Sequence, residues 1–315
     1  MKILKEFLKS AKKYHYDTFL TQEMKIPHFY VEKNKVLSSF CCSGLEIFAK
    51  EYFKGVKIKM VVKKGVKIEK PIFLCFGILK EKGKQIILPE IILEENSKAE
   101  ILSFCAFPKA KDVFHKMEAK IKLKEKAKLI YKEVHYHGDR FGTKIETNFK
   151  VFVGQKSGFE NKFVIDKGSI GKLKVNFKVQ LEKESFCKVL NKVIGKGKKD
   201  EVEIYDKILL NGENSSSLNK LRGVAINGGK MFFKGETEAT KKAKNARGHI
   251  DCQEIIIGEN SIVQSIPIII VKNPEARVTH EASIGKINQK ELETLMSRGL
   301  SEKEAIDFVI KGMAE

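Results

Sequence analysis

Residues 119–137 read AKIKLKEKAKLIYKEVHYH. Apolar and charged side chains alternate almost one for one, the period of a strand with one buried and one solvated face. The alternation returns in VKIKMVV (56–62), KLKVNFKVQLEKE (172–184) and DEVEIYDKILL (200–210). From roughly residue 56 to 285 this period dominates. Proline is rare, and Gly, Asn, Asp and Ser supply the turns. The chain is mainly β.

A weak internal echo accompanies the strands. IILEENS (91–97), ILLNGENS (208–215) and IIIGENS (255–261) each join an apolar run to an acid and Asn-Ser. Asn214 and Asn260 are 46 residues apart, two steps of 23, and Asn96 to Asn214 is 118, near five such steps. A constant step is what stacked coils of a β-solenoid produce, each burying its apolar face on the next. Two packed sheets joined by turns would give similar local patterns.

The ends differ in kind. Residues 1 to about 20 place apolar residues at helical spacing between lysines, an amphipathic helix and not the continuous apolar core of a secretion signal. At the other end, ARVTHEASIGKINQKELETLMSRGLSEKEAIDFVIKGM (276–313) begins as a strand and becomes two capped helices. Asn288 with Glu291, and Ser301 with Glu304, have capping-box spacing, and Gly299 stops the first helix. Leu292, Leu295 and Met296, then Ala305, Phe308 and Val309, mark one face of each. Such a hairpin suits a cap over the last open coil, and its outer face, at Leu295, Met296, Phe308 and Val309, suits a partner. The expected organisation is an N-terminal helical or irregular segment (1–55), a β core (56–285) and a C-terminal helical segment (286–315).

Composition narrows the function. Of the 315 residues 42% are hydrophobic, and the longest apolar runs, such as IPIIIV, are too short to cross a bilayer. The expectation is a soluble cytoplasmic protein. Six cysteines lie without a C-x-x-C, which excludes ribbon-type zinc and thioredoxin readings and leaves thiol chemistry to residues brought together by folding. Net charge is +20, but it is carried by lysines spread along the strands with only five arginines. That distribution fits a solvated face better than a nucleic-acid site. There is no Trp and no cluster of carboxylates, which disfavours a carbohydrate-active β-helix enzyme.

The terminal residues resemble a known family. THEASIGKI (279–287) followed by ELETLMSRGLSEKEAIDFVIKGM (291–313) is similar to the end of the SufB/SufD family, core proteins of the SUF iron–sulfur cluster assembly system. IDCQEIIIGENS (250–261) resembles the family's Cys-containing strand, and VVKKGVKIEKPIFLCF (61–76) its entry into the β body. The resemblance implies a right-handed β-helix with helical ends and a non-enzymatic scaffold role. It also implies a SufC-like ABC ATPase bound through the C-terminal helices, a second copy or a paralogue as dimer partner, and a sulfur donor protein. The chain contains no G-x-x-x-x-G-K-[ST] phosphate loop, so ATP hydrolysis would come from the partner.

The resemblance carries the assembly-site Cys of SufB onto Cys252 and the His shared by both motifs onto His280. Glu281 matches the second acid of SufB's E-H-E, while Thr279 replaces the first and Gly285 is closer to SufD. A transient Fe–S cluster, and iron, would then sit on Cys252, His280 and Glu281, a mixed set suited to release. Read without the resemblance, Cys252 is a small buried apolar residue and His280 a strand-end histidine. AEILSFCAFPKAKDVFHKMEAKI (99–121) resembles the SufB segment whose Cys accepts persulfide sulfur, placing that role on Cys105 with His115 downstream. An acceptor thiol is expected to be accessible, its pKa lowered by cations such as Lys109 and Lys111. His135-x-His137 puts two imidazoles on one strand face, a metal pair or a solvated strand end. Two readings compete with the cluster scaffold: a SufD-like helper that does not nucleate a cluster, and a basic solenoid that binds nucleic acid.

Overall fold

The computed structural model describes residues 26–313 except residue 54. Its nineteen strands are β1 (His28–Glu32), β2 (Lys35–Phe40), β3 (Leu45–Tyr52), β4 (Gly55–Val62), β5 (Ile72–Gly77), β6 (Lys82–Leu93), β7 (Lys98–Ala106), β8 (Asp112–Leu123), β9 (Lys128–Tyr136), β10 (Thr143–Val153), β11 (Gly158–Ile165), β12 (Lys172–Leu181), β13 (Phe186–Gly195), β14 (Glu201–Leu210), β15 (Ser216–Ile226), β16 (Lys230–Ala239), β17 (Arg247–Ile257), β18 (Ile262–Val271) and β19 (Arg277–Gly285). They form a ten-stranded and a nine-stranded sheet. The first runs β19-β17-β15-β13-β11-β9-β7-β5-β1-β2 and the second β18-β16-β14-β12-β10-β8-β6-β4-β3. From β4 on, successive strands alternate between sheets and each pairs in parallel with the strand two further on. The result is the expected β-solenoid, of about eight turns.

The alternation in the sequence becomes an inside and an outside. In β10 (Thr143–Val153), Ile145, Thr147, Phe149, Val151 and Val153 point inward and are buried. Parallel register stacks like on like, with Ile145 on Leu173, Phe149 on Phe177 and Val151 on Val179 of β12 (Lys172–Leu181). The Phe149 and Phe177 rings lie 4.8 Å apart, and one continuous core runs the length of the solenoid. Outward lysines meet acids across coils, Lys172 with Glu201 and Lys174 with Glu203 at 3.0 Å.

The coil is longer than the echo suggested. Paired residues such as Lys144 and Lys172, or Ser216 and Arg247, are 28 and 31 apart. The corner residue of each coil is left-handed, at Asn96, Lys126, Lys156, Glu184, Asn214 and Asn245. The steps from Asn96 to Asn214 are thus 30, 30, 28 and 30, four coils where steps of 23 give five. Asn260 belongs to a different corner, after Ile257, so its spacing from Asn214 was never a coil length. Asn reappears at these corners because it tolerates the left-handed region. From Asn96 to Asn214 each of these corner N–H groups donates to a carbonyl of the next coil, as Asn96 does to Glu125 (3.0 Å) and Asn214 to Lys244 (2.8 Å). The small residue that follows is buried, as at Ser97, Ala127, Ser157 and Ser185.

Both ends depart from expectation. The amphipathic stretch at 1–20 lies outside the described residues. Strands β1 to β3 (His28–Tyr52) occupy much of the segment expected to be helical or irregular. They are antiparallel hairpin partners that close the first coil and blunt its edges. At the far end, helices α1 (Gln289–Ser297) and α2 (Glu302–Gly312) form with both predicted N-caps. They do not lid the last coil. Ile310 and Met313 pack on Ile194, Val224 and Ile255, outward residues of β13, β15 and β17. Lys192 Nζ donates to the Ile310 carbonyl (2.9 Å) and Arg222 Nε to that of Met313 (3.1 Å), satisfying carbonyls a helix end leaves free. The hairpin lies along the side of the larger sheet, and β18 and β19 keep open edges.

Stacked aromatic burial should dominate stability. Phe177→Ala is expected to cost about 3–5 kcal/mol in urea denaturation. A cost below about 1 kcal/mol would show that the interior ladder is not what holds neighbouring coils.

Candidate metal and thiol sites

Cys252 is on β17 (Arg247–Ile257) and His280 on β19, the next and last strand of the larger sheet. The register pairs Ile250 with His280 and Cys252 with Ala282. Ile250 and Cys252 point inward, and residues paired in parallel point the same way. The thiol and the imidazole therefore share one face of adjacent strands, two residues out of register. Cys252 is buried under Ala282's strand, and burial raises its thiol to about 11. His280 is exposed, because among the described residues no further coil covers it.

Glu281 does not join them. As the neighbour of His280 it points outward, opposite Asp251. There its Oε1 lies 3.7 Å from His249 Nε2, and His249 Nδ1 lies 2.8 Å from the Thr279 hydroxyl. One chain thus presents Cys252 and His280 on the inner face and Glu281 on the outer.

Polar residues behind Cys252 continue into the core. The Ser265 hydroxyl on β18 (Ile262–Val271) donates to Glu254 Oε1 (3.2 Å) and also bonds the Cys252 thiol, lowering its pKa against burial. Burial raises Glu254 to about 7, and its other oxygen has no protein partner. Gly223, paired with Glu254, leaves space that a Cβ would take from the Phe233 ring (2.6 Å) and Glu254 Cγ (3.2 Å). One coil deeper, Asn191 Nδ2 donates to Asp206 Oδ2 (2.8 Å), and burial raises Asp206 to about 7.

Cys105 lies at the other end of the interior, on β7 (Lys98–Ala106), fully buried. Its thiol is pushed well above the ordinary range by burial and then by Glu133 and Cys75. The accessible thiolate with a lowered pKa is therefore not what the structure forms there. Lys111 is turned outward to Glu81 (2.9 Å). Cys105 instead pairs in register with His135 of β9 (Lys128–Tyr136). His135 and His137 are also fully buried, not solvated. Their chain of contacts has one consistent direction. His137 Nδ1 must donate to the Ile170 carbonyl (2.9 Å), so its Nε2 accepts from His135 Nδ1 (3.2 Å). His135 Nε2 then accepts from Glu133 Oε1 (2.6 Å), and the Tyr131 hydroxyl donates to Glu133 Oε2 (2.7 Å). A protonated Glu133 and a neutral His135 are what this needs, and burial shifts Glu133 up to about 8 and His135 down to about 3.

Sequence reasoning passed over Glu133, Asp206 and Glu254. The signal was present: each falls on the apolar phase of its strand, Glu133 in step with Leu129, Tyr131 and His135. A carboxylate in that phase must turn inward. On the predicted partner face, Met296 and Phe308 are exposed, Leu295 is half-buried, and Val309 packs on the sheet.

The family model of the SUF system FeS cluster assembly SufBD core domain matches residues 82–313, from β6 through both helices. The chain belongs to the SufBD family. An iron–sulfur cluster assembly SufBD family protein of Methanocaldococcus jannaschii is 38% identical over 92% of this chain and 90% of its own. One from Pyrococcus horikoshii is 32% identical over 92% of this chain and 87% of its own. A second from that organism is 30% identical over 82% of this chain and 57% of its own. Among the described residues no helix is long and apolar enough to cross a membrane.

The buried acids set a pH dependence. Folded Asp206 keeps its proton to about pH 7, whereas the unfolded chain gives it up near pH 4. Stability should fall as pH rises through that window, because the native state holds the extra proton. Asp206→Asn removes this contribution. Urea denaturation at pH 4 and pH 7 should show the variant losing roughly 1–4 kcal/mol less than the parent. Equal losses would refute an uncharged Asp206.

Proposed function

We propose that this SufBD family protein is a scaffold on which a nascent iron–sulfur cluster is built at the open end of the solenoid, with Cys252 and His280 as ligands from one chain. One observation carries the reading: the register sets these two on the same inward face of the last two strands of the larger sheet, beyond which the described residues form no further coil. A thiolate and an imidazole are an incomplete set for iron. The remaining ligands come from sulfide and from a second protomer or a paralogue meeting this edge. The edge favours such a partner. Both terminal strands have unpaired backbone groups, and β18 exposes Ile262 and Ile266 beside its outward Ile268 and Ile270. Glu281, outward on the same strand, is available to a facing subunit rather than to its own chain's Cys252.

Energy and sulfur come from other proteins in this reading. A SufC-like ABC ATPase docks on the helical hairpin, whose Met296 and Phe308 are exposed above a well-anchored α2. Because α2 is tied to Arg222, and Arg222 to Asp251 beside Cys252, motion of the hairpin reaches the candidate cluster strand directly. A sulfur donor protein supplies sulfide at the edge rather than through a persulfide on the sealed Cys105. Nucleic acid is disfavoured, since many outward lysines are engaged with acids on neighbouring strands.

The helper reading has its own support, because burial holds the Cys252 thiol near 11, a weak ligand until the end coil opens. Anaerobic reconstitution with iron and sulfide separates the two. The scaffold reading expects sulfur-to-iron absorption in the parent and at least a tenfold loss in Cys252→Ala and His280→Ala. Equal absorption in parent and variants would leave the helper role. Separately, Phe308→Asp should abolish co-purification with the ABC ATPase, and undiminished binding would remove the hairpin from that contact.

A further inference from the structure

Three buried side chains near Cys105 form a donor set that the end-coil reading does not use. Cys105 Sγ and ligand atoms of Glu133 and His135 all lie within 4.8 Å of one another, and all three residues are fully buried. Cys105 and His135 are register partners, and Glu133 precedes His135 by two on the same inward face. A fourth donor faces them from the smaller sheet. His115 on β8 (Asp112–Leu123) is fully buried, its ring centroid 6.2 Å from that of His135.

Hydrogen bonds fix which imidazole nitrogens carry lone pairs. Gln85 Nε2 donates to the Lys33 carbonyl (2.7 Å) and the Gly77 carbonyl (3.2 Å), so Gln85 Oε1 is an acceptor. It lies 2.9 Å from His115 Nδ1, which therefore bears the hydrogen. His115 Nε2 is left as a lone pair with no protein partner, in a fully buried side chain. His135 is oriented likewise: its Nδ1–H is spent on His137, itself held by the Ile170 carbonyl, and its lone pair is on Nε2. Both histidines have an Nδ1–H pinned by an oriented acceptor, the arrangement that metal-bound histidines adopt; Nε2 of His115 has no protein partner, and that of His135 accepts from Glu133 Oε1 and is released when that proton leaves.

We propose that Cys105, Glu133 and His135, completed by His115, form a divalent transition-metal site sealed inside the solenoid. One thiolate, two imidazoles and one carboxylate suit Zn2+ or Fe2+ in four-coordination, whereas Mg2+ and Ca2+ demand oxygen ligands. Binding displaces the proton of Cys105 Sγ and the proton held between Glu133 Oε1 and His135 Nε2. Two protons leave as one divalent cation enters, so the buried charge is unchanged and no redox step occurs. With every donor sealed, the ion is acquired as the coils close. The assignment stands apart from the reading at Cys252.

The test is refolding of the full chain, anaerobically, with Co2+ or Zn2+, followed by desalting. The parent and Cys252→Ala should each retain about one equivalent of metal, and Co2+ should give thiolate-to-metal absorption. Cys105→Ser should lose that absorption. The isosteric Glu133→Gln, with folding checked by circular dichroism, should retain at least tenfold less metal. Gln85→Leu, which touches no ligand atom of the trio but frees the His115 ring, should lower affinity by about 10–100-fold. Retention below a tenth of an equivalent by the folded parent, or full retention by folded Glu133→Gln, would overturn the site. Loss of metal in Cys252→Ala alone would assign the ion to the end coil instead.

Discussion

In a parallel solenoid a strand's backbone groups are satisfied only by the strands above and below it. Every coil of this protein lives under that constraint. It makes register absolute: a slip of one residue would turn the whole apolar face of a strand to water. Phe149 on Phe177, Val151 on Val179 and the corner bond from Asn96 to Glu125 are consequences of one alignment repeated. It also means that the stack must end somewhere, and the two ends are treated oppositely. At the first coil β2 folds back antiparallel on β1 and β3 on β4, covering the parallel stack and becoming the edge strands themselves. At the last coil no described strand does, and Cys252 and His280 are found there.

An interior with period-two lining offers little room for chance polarity. Glu133, His135, His137, Asp206 and Glu254 all occupy inward positions that would otherwise take Leu, Val or Phe. Each costs desolvation, visible in carboxyls raised to about 7 or 8 and imidazoles lowered to about 3. Partners offset part of the cost, as in the directed chain from Tyr131 to the Ile170 carbonyl. His115 Nε2, one oxygen of Glu254 and one of Asp206 are among the buried polar atoms left without protein partners.

The C-terminal hairpin couples the outside to this interior. Arg222 binds both carboxylate oxygens of Asp251 and the carbonyl of Met313, so one guanidinium joins the last helix to the strand that carries Cys252. A helix seated across three coils is a lever on the sheet, whereas a lid over the end would have hidden the site.

Much of this was legible in the chain alone. Alternation such as AKIKLKEKAKLI dictated strands with one dry face, and the Asn-Ser echo suggested a coil without setting its length. The N-caps at Asn288 and Ser301, the second a full capping box, dictated the hairpin, because caps act within a few residues. Local chemistry could not set the coil length, since the left-handed corner residue is Asn in some coils and Lys or Glu in others. Nor could it show where the hairpin docks, that Cys105 is sealed, or that Glu281 turns away from Cys252. Those depend on which strands become neighbours and which strand is last. Stacking across some thirty residues decided them, through contacts that no stretch of sequence contains.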